Sequence, residues 1–241
     1  MYSFDSRIRY SEVDKHAELT LESLIDYFQD CSTFQTQQGP ATMEYLMERK
    51  IAWVLSSWQI EIARYPKLCE EVTIGTVPYG LNSFLGFRNF FMDTKDGERL
   101  AVANSVWALL DMERAVPSRI TPEILETYAL DEKLPMDYDN RKIAIPDGEV
   151  IRGEEIVVRG HHLDTNNHVN NGQFVRMAMD SIKGKEGKVT SMRAEYRKQA
   201  RLGDILYPEI VRVPKEKGIA YTVSLKDGEG NNVCIVELLI G

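Results

Sequence analysis

The strongest constraint on the fold of this 241-residue chain is an internal repeat. Residues 12–16 (EVDKH) carry an acidic residue, an aspartate and a histidine at alternate positions. Residues 164–168 (DTNNH) carry an aspartate, an asparagine and a histidine in the same way. An amphipathic segment follows each of them. We therefore expect the chain to contain two copies of one structural unit, in which position 12 corresponds to position 164.

Apolar residues recur at intervals of three and four after each polar segment, as they do on the buried face of an amphipathic helix. They are Leu21, Leu24, Ile25 and Phe28 in the first copy, and Phe174, Met177, Ala178 and Ile182 in the second. Thr20 is placed to cap the first helix and Gly39 to end it. The sequence therefore predicts one long helix in each copy.

Strand-like runs follow each helix, and two features of these runs repeat. A turn precedes the runs in both copies, at residues 66–72 (PKLCEEV) and 200–206 (ARLGDIL). An Asp-Gly-Glu hairpin turn also recurs, at residues 96–98 and 227–229. Each copy is thus predicted to be an α+β unit in which a long helix packs on an antiparallel β-sheet.

The two copies are separated by a segment of different character, in which strand patterning is absent. Four prolines interrupt this segment: Pro117, Pro122, Pro135 and Pro146. We expect a linker at residues 116–152, with a short helix after Pro122. The linker would join an N-terminal domain at residues 1–115 to a C-terminal domain at residues 153–241.

Composition excludes several functional classes. The chain has 29 Lys and Arg against 37 Asp and Glu, and its net charge of −8 has the wrong sign for binding nucleic acid through phosphate contacts. Its three widely spaced cysteines indicate neither a disulfide framework nor a thiolate metal site. No stretch is apolar enough to span a membrane, and the first ten residues lack the apolar core of a signal peptide. We therefore expect a cytoplasmic protein that binds neither nucleic acid nor membranes.

Residues 157–168 hold three of the four histidines and are the best candidate for a site. The segment 157–164 is predicted to be a strand, and in an extended chain Asp164, Asn166 and His168 share one face. A carboxylate, an amide and an imidazole suit hydrolysis, since together they can activate water, hold it and transfer its proton. A polar turn that leads into a helix explains the same residues without any chemistry. Residue types alone leave both interpretations open.

The spacing is not compatible with a calcium loop. Asp164, Asn166 and His168 match the first three ligand positions of such a loop. Val169, however, stands where the turn needs glycine, and Val175 stands where the bidentate glutamate belongs. The sequence also lacks the motifs of serine hydrolases, nucleotide-binding loops and zinc peptidases. We expect neither a metal nor an organic cofactor.

Two motifs resemble those of the acyl-acyl carrier protein (acyl-ACP) thioesterases. They are residues 163–171 (LDTNNHVNN) and, further along the chain, residues 195–198 (EYRK). Residues 10–14 (YSEVD) and 53–58 (WVLSSW) are similar to the N-terminal half of the same family. The resemblance therefore covers nearly the whole chain.

This resemblance implies two tandem hot-dog domains, in each of which the sheet wraps around the predicted helix. It also implies that Asp164, Asn166 and His168 are the catalytic residues and that the first domain lines an acyl tunnel. The family has a further acidic residue, and its plant members an adjacent cysteine, where this chain has Gln199 and Ala200.

Gln199 narrows the possible mechanisms. Without a cysteine at position 200, the attack on the thioester comes from activated water or from the Asp164 carboxylate. A glutamine positions water but does not accept its proton, so Asp164, His168 or the nearby Glu195 is expected to act as the base. Backbone N–H groups at residues 169–171, where the second helix starts, are expected to polarise the thioester carbonyl.

The charge of the chain is unevenly distributed. Residues 176–201, here called the basic stretch, contain eight basic and three acidic residues. Its charge is therefore +5, against −13 for the remainder of the chain. A basic face of this kind would attract an acidic acyl carrier protein, although a solvated surface without a partner explains it equally well.

The predicted function is hydrolysis of fatty acyl-ACP to free fatty acid and carrier protein, the step that ends fatty acid synthesis. The predicted site consists of Asp164, Asn166, His168 and Gln199. Two alternatives remain, an acyl-CoA thioesterase on the same fold and a non-catalytic acyl-binding protein. We expect a homodimer.

Overall fold

The computed structural model describes residues 1–184 and 186–241 and divides into two compact units. The first unit comprises Met1–Ser56 and Ile62–Asp139, and the second comprises Ser57–Glu61 and Asn140–Gly241. Each has a long helix and an antiparallel sheet, which confirms the predicted α+β class. None of the helices in the described residues has the length and apolar character needed to cross a bilayer.

The first unit is built around its longest helix, α1. Its elements are β1 Tyr2–Arg7, α1 Leu21–Gln38, α2 Met43–Glu48, β2 Ile51–Ile62, β3 Glu71–Asn82, β4 Leu85–Thr94, β5 Arg99–Asp111, β6 Val116–Pro117 and α3 Pro122–Thr127. The strand order is β1-β3-β4-β5, with β2 beside β5. Helix α1 packs on β3 through the predicted apolar face, which is buried.

Helix α1 has the predicted ends because local hydrogen bonds fix both. The Thr20 hydroxyl accepts a hydrogen bond from the Ser23 N–H at 3.1 Å, which satisfies a donor that the first turn leaves without a partner. Gly39 follows the last helical residue, and its N–H donates to the Thr36 carbonyl. The helix therefore begins and ends where the sequence indicates.

The second unit repeats this plan with a shorter helix, α4. Its further elements are β7 Val150–Arg152, β8 Ile156–Val157, α4 Asn171–Ser181, β9 Val189–Tyr196, β10 Ile205–Lys215, β11 Gly218–Lys226 and β12 Asn232–Ile240. The strand order is β9-β12-β11-β10-β7, and Ser57–Glu61 of β2 pairs with β9. Helix α4 packs on β10, β11 and β12.

The strand predicted at residues 157–164 is wrong. Strand β8 ends at Val157, and a short 3-10 helix occupies Gly160–His162. The imidazole Nδ1 of His162 accepts the Arg159 N–H at 3.0 Å, and this contact tightens the chain into the helix. In the first unit Glu12 makes the equivalent contact with the Arg9 N–H at 2.8 Å.

Hydrogen bonds show that the predicted alignment of the two polar segments is wrong. Before each helix one aspartate closes a loop: the Asp14 N–H donates to the Glu18 carbonyl, and the Asp164 N–H donates to the His168 carbonyl, both at 2.8 Å. Asp164 therefore corresponds to Asp14 and not to the acidic residue at position 12. The histidines that set the predicted alignment occupy different places in their loops, because His168 corresponds to Glu18.

The turns before the strands confirm the predicted alignment of residues 66–72 with residues 200–206. The Cys69 N–H donates to the Ile8 carbonyl at 2.9 Å, and the Gly203 N–H donates to the Val158 carbonyl at 3.0 Å. The predicted alignment of the last hairpins is wrong. The backbones of Thr94 and Asp227 close these hairpins with equivalent bonds, so the Asp-Gly-Glu triplets do not coincide.

The segment between the copies contains the predicted short helix. Helix α3 begins at Pro122, and the Thr121 hydroxyl caps it. Ile124 and Tyr128 are buried in a cluster with residues of the first unit, so this part of the predicted linker packs on that unit. The domain boundaries at residues 115 and 153 stay a prediction, since compactness does not measure independent folding.

Removal of the α1 cap should destabilise the first unit. We expect Thr20→Ala to lower the free energy of unfolding by about 1 kcal/mol, because the Ser23 N–H loses its acceptor. Urea unfolding followed by circular dichroism measures the change. Thr20→Ser keeps the hydroxyl and is the control. Equal losses in both variants would assign the effect to the threonine methyl group instead.

Candidate active site

The predicted catalytic residues lie in a closed loop between the 3-10 helix Gly160–His162 and α4. Leu163 and Val169 pair across the base of the loop. The Asp164 carboxylate closes it from inside, because its Oδ1 atom accepts the N–H groups of Asn166 at 2.8 Å and His168 at 3.2 Å. Asn167 takes up the left-handed conformation, with φ of 59°. The backbone thus fixes the orientation of the carboxylate.

The loop leaves polar atoms available to a substrate. Asp164 and His168 are half-buried and Asn166 is exposed. Within the described residues, the Oδ2 atom of Asp164 accepts no hydrogen bond, and the side chains of Asn166 and His168 make none. The extended strand that would have aligned these three side chains is replaced by a turn. They share one short loop but are not hydrogen-bonded to one another.

Gln199 lies on a neighbouring segment, after the end of β9, and is exposed. The Val169 N–H donates to the Ala200 carbonyl at 2.9 Å. This bond joins the residue after His168 to the residue after Gln199. The backbone therefore brings all four predicted residues to one region of the second unit. In the first unit the matching bond joins Leu19 to Pro66, and Tyr65 takes the place of Gln199.

Residues 195–198 form the support for this region. Glu195 is buried, with Arg197 donating to both of its oxygens at 2.9 and 3.0 Å and the Ile143 N–H donating to Oε2 at 2.9 Å. The Tyr196 hydroxyl donates to the Asn171 carbonyl at 3.0 Å, and its burial raises the pKa well above the ordinary value. The motif thereby ties β9 to the first turn of α4.

These contacts make Glu195 a structural residue. Burial on its own raises the pKa of Glu195, but the hydrogen bonds from Arg197 and from the Ile143 N–H lower it, and the resulting pKa lies below its ordinary value. A carboxylate with both oxygens bonded and a lowered pKa is a poor base for water. The hypothesis that Glu195 replaces the acid missing at Gln199 is therefore wrong.

Two of the three backbone N–H groups predicted to polarise the thioester are also committed elsewhere. Val169 donates to the Ala200 carbonyl, and Asn170 donates to the His162 carbonyl at 2.9 Å. Asn170 is the N-cap of α4, and its side chain accepts the Gly172 N–H at 2.8 Å. The prediction of a backbone oxyanion site is therefore wrong for Val169 and Asn170, and it stays a prediction for Asn171.

His162 is a residue of the site region to which the sequence assigned no role. Burial lowers its pKa, and the nearby His161 and Arg176 lower it further. Since its Nδ1 atom accepts the Arg159 N–H, the neutral ring carries its proton on Nε2. Its carbonyl holds Asn170 at the start of α4. The adjacent histidines at 161 and 162 were the one signal that the sequence offered.

Clusters suited to metal binding are not found in this part of the molecule. No group of three or more His, Cys, Asp or Glu side chains is arranged to hold a metal ion anywhere in residues 1–184 and 186–241. The polar side chains that the loop and its neighbouring segment present are the Asp164 carboxylate, the amides of Asn166 and Gln199 and the imidazole of His168.

The stability contributed by Glu195 should depend on pH. A lowered pKa means that the charged carboxylate stabilises the fold above its unfolded-state pKa of about 4.3, and this stabilisation is lost as the pH falls through the lower folded-state pKa. We expect Glu195→Gln to lower the free energy of unfolding by about 1–3 kcal/mol at neutral pH.

Urea unfolding of the native and Glu195→Gln proteins between about pH 7 and about pH 3 tests this expectation. The difference between the two should shrink at the acid end of this range. A difference that stays constant would mean that the charge of Glu195 contributes nothing. Arg212→Gln, in β10, is a control for the loss of a charge elsewhere in the second unit.

Comparison with known proteins identifies the family. The acyl-ACP thioesterase N-terminal domain matches residues 1–128, and the C-terminal domain matches residues 147–238. A chloroplastic acyl-carrier-protein hydrolase of Cuphea viscosissima is 25% identical over 230 residues, 88% of this chain and 55% of the relative. A chloroplastic palmitoyl-acyl carrier protein thioesterase of Cuphea hookeriana is 24% identical over 83% of this chain and 52% of its own length. The chain thus spans little more than half the length of these curated relatives.

Solved structures share the fold. An acyl-ACP thioesterase from Bacteroides thetaiotaomicron matches with a TM-score of 0.88 and 21% identity, over 99% of this chain and 97% of the other. The 12:0-ACP thioesterase from Umbellularia californica matches with a TM-score of 0.78 and 18% identity, over 99% and 96%. These similarities confirm the predicted hot-dog fold. Because the two family domains match in order and together cover most of its length, this chain belongs to the acyl-ACP thioesterase family.

Proposed function

We propose that the protein hydrolyses fatty acyl-ACP to free fatty acid and carrier protein at Asp164, Asn166, His168 and Gln199. Membership of the family supports the reaction class. The observation that carries the proposed site is the Asp164 carboxylate, which two backbone N–H groups hold by one oxygen. Its other oxygen, with the neighbouring amide and imidazole, is left for substrate and water.

The proposed reaction needs water and these side chains. The oxygen of water bonds to the thioester carbonyl carbon while His168 takes a proton from the water, and Asp164 orients the imidazole or the water. The Asn166 amide donates to the carbonyl oxygen as negative charge develops on it. The carbon–sulfur bond then breaks, and the proton passes to the leaving thiolate. An amide does not accept a proton, so Gln199 does not act as the base. Its role is to hold the water by hydrogen bonds.

The basic stretch bears on the choice between carrier protein and coenzyme A. Several of its basic residues form ion pairs: Arg176 with Asp180, Lys183 with Glu154, Arg193 with Glu237, Arg197 with Glu195 and Lys198 with Asp227. Lys185 lies outside the described residues. Arg201 is exposed, and its guanidinium has no carboxylate partner among the described residues, although its backbone N–H donates to the Asp204 carboxylate at 2.8 Å. Carrier docking therefore depends on fewer charges than the sequence suggests.

This pairing favours acyl-CoA as a second candidate substrate, because a small thioester needs no protein docking face. We nonetheless propose that the substrate is carried by the carrier protein and that the reaction ends fatty acid synthesis. We further propose that the protein is a homodimer in the cytoplasm. Light scattering of the purified protein tests the dimer, and fractionation of cells tests the compartment. The other alternative is a non-catalytic acyl-binding protein. In that case the glutamine at position 199 leaves the site without the base that hydrolysis needs.

Loss of the Asp164 charge should abolish turnover and spare the fold. Asp164→Asn keeps an oxygen that can accept the N–H groups of Asn166 and His168 but removes the charge that orients the catalytic groups. We expect kcat for acyl-ACP hydrolysis to fall by about 10²-fold or more, with little change in melting temperature. Thiol release measured with a chromogenic disulfide follows turnover.

The first unit offers a matched control. Asp14 accepts the N–H groups of His16 at 2.8 Å and Glu18 at 3.2 Å, in a loop of the same geometry. Asp14→Asn should therefore have the same effect on stability as Asp164→Asn and none on turnover. Equal turnover losses in the two variants would show that Asp164 takes no part in the chemistry.

Gln199→Ala should slow turnover in the same assay. An unchanged rate would show that Gln199 is not part of the site.

Docking of the carrier should depend on salt and on Arg201. We expect kcat/KM for acyl-ACP to fall as the ionic strength rises from about 0.05 M to about 0.5 M, where exposed charges are screened. A neutral small-molecule thioester should show no such fall. Arg201→Gln should weaken carrier turnover alone, whereas Lys183→Gln removes a residue already paired with Glu154 and is the control. Equal salt dependence of both substrates would contradict carrier docking through the basic stretch.

A further inference from the structure

The first unit buries a cation that the proposed chemistry does not use. Arg88, in β4, is only 8% exposed. Its Nη1 atom donates to Gln35 Oε1 at 2.8 Å and to Thr76 Oγ1 at 3.3 Å. Both acceptors are neutral. The Nε and Nη2 atoms, which form the edge that binds a carboxylate through two parallel hydrogen bonds, have no acceptor among the described residues.

Nothing nearby in the described residues neutralises this charge. Burial lowers the pKa of Arg88, but an arginine side chain stays protonated in proteins. Burial also raises the pKa of the neighbouring Cys31 thiol to about 12, although Arg88 lowers it, so the thiol is neutral. The rings of Tyr128 and Phe90, at 5.1 and 5.9 Å, offer only the weak attraction of their π faces. Buried charges are normally paired, because isolation from water is costly.

The fold itself does not require a cation at this position. Strands β4 and β11 lead into the hairpins that Thr94 and Asp227 close, so the two strands align with Thr94 opposite Asp227 in the repeat. Counted back equally from these residues, Tyr221 corresponds to Arg88. Both residues are 8% exposed. An uncharged residue therefore occupies the same place in the second unit. The packing of a hot-dog sheet thus does not explain the charge at Arg88.

Arg88 lines a small recess together with Trp53. The recess has a cavity volume of about 50 Å³. Its lining includes Trp53, Pro78, Leu81, Phe87, Arg88 and Trp107. The indole N–H of Trp53 is buried and has no acceptor in the described residues, whereas that of Trp107 donates to Ser105 at 2.7 Å. The Arg88 cation thus lines one small, otherwise largely apolar cavity together with the ring of Trp53.

We propose that this recess binds the carboxylate of an aliphatic carboxylic acid. A carboxylate supplies two acceptor oxygens for the Nε and Nη2 atoms of Arg88 and the negative charge that this side chain lacks. The cavity has room for roughly three to five waters, which suits a carboxylate and its first methylene groups. The apolar lining accepts the start of the chain. The proposal does not depend on the hydrolysis proposed for the second unit.

Two sources share this chemistry. One is a free fatty acid, and the other is an acyl group that carries a second carboxylate at its far end. Calorimetric titration of the full chain with octanoate, octan-1-ol and suberate tests the common feature first. We expect octanoate to bind roughly ten- to hundred-fold more tightly than octanol, as for hydrogen bonds to a charged group. Tight binding of suberyl-CoA, but not octanoyl-CoA, to the Asp164→Asn protein would identify the second source.

Substitutions distinguish a role of Arg88 in carboxylate binding from a role in the fold. Arg88→Met keeps the length of the side chain and should abolish the preference for octanoate over octanol, while the melting temperature of the free protein is retained. Trp53→Phe keeps an aromatic ring in the lining and should weaken octanoate binding by less than Arg88→Met does. Arg99→Met, in β5 of the same sheet, is the control and should bind as the native protein does.

A second readout does not require measurable heats. Octanoate in excess should raise the melting temperature of the native protein but not that of Arg88→Met, since a ligand stabilises only the state that binds it. Equal binding of octanoate and octanol to the native protein would overturn the proposal. So would an octanoate preference that survives in Arg88→Met.

Discussion

The structure depends on how each chain segment enters its long helix, and one aspartate controls that entry in both units. Asp14 and Asp164 each accept the backbone N–H groups two and four residues further on, which closes a loop directly before the helix. The residue after the loop then bonds to the turn that precedes the strands, at Pro66 or Ala200. The helix is thus fixed to its sheet at its first turn, where it has the fewest hydrogen bonds of its own.

This shared frame separates what the fold needs from what the chemistry needs. An aspartate closes both loops, so Asp164 alone does not mark a catalytic site. The difference lies in the residues that the loops display. Asn166 and His168 stand where the first unit has His16 and Glu18, and Gln199 stands in the place of Tyr65. The second loop and the neighbouring segment therefore bring two neutral amides and an imidazole together, and this is the set to which we assign the proposed hydrolysis.

Local patterns predicted the helices well and the site only in part. Thr20 and Gly39 determine the ends of α1 through their own hydrogen bonds, so the sequence nearby was sufficient. The repeat alignment was wrong because it matched His16 with His168, whereas the backbone bonds match Asp14 with Asp164. Contacts between distant residues were beyond such patterns. Glu195 looked like a base because the sequence does not show that Arg197 and Ile143 occupy its oxygens.

A feature that depends on contacts between distant residues can still be indicated by the sequence, and Arg88 is an example. Successive side chains of strand β4 point to opposite faces of the sheet, and Arg88 lies on the same face as Phe90 and Met92, both fully buried. A charge on the inward face of a strand conflicts with that pattern and raises the question of what accompanies it. The corresponding residue of the second unit, Tyr221, shows that the sheet closes without a charge. The conflict between the pattern and the residue is therefore the sequence feature that leads to the proposed carboxylate site.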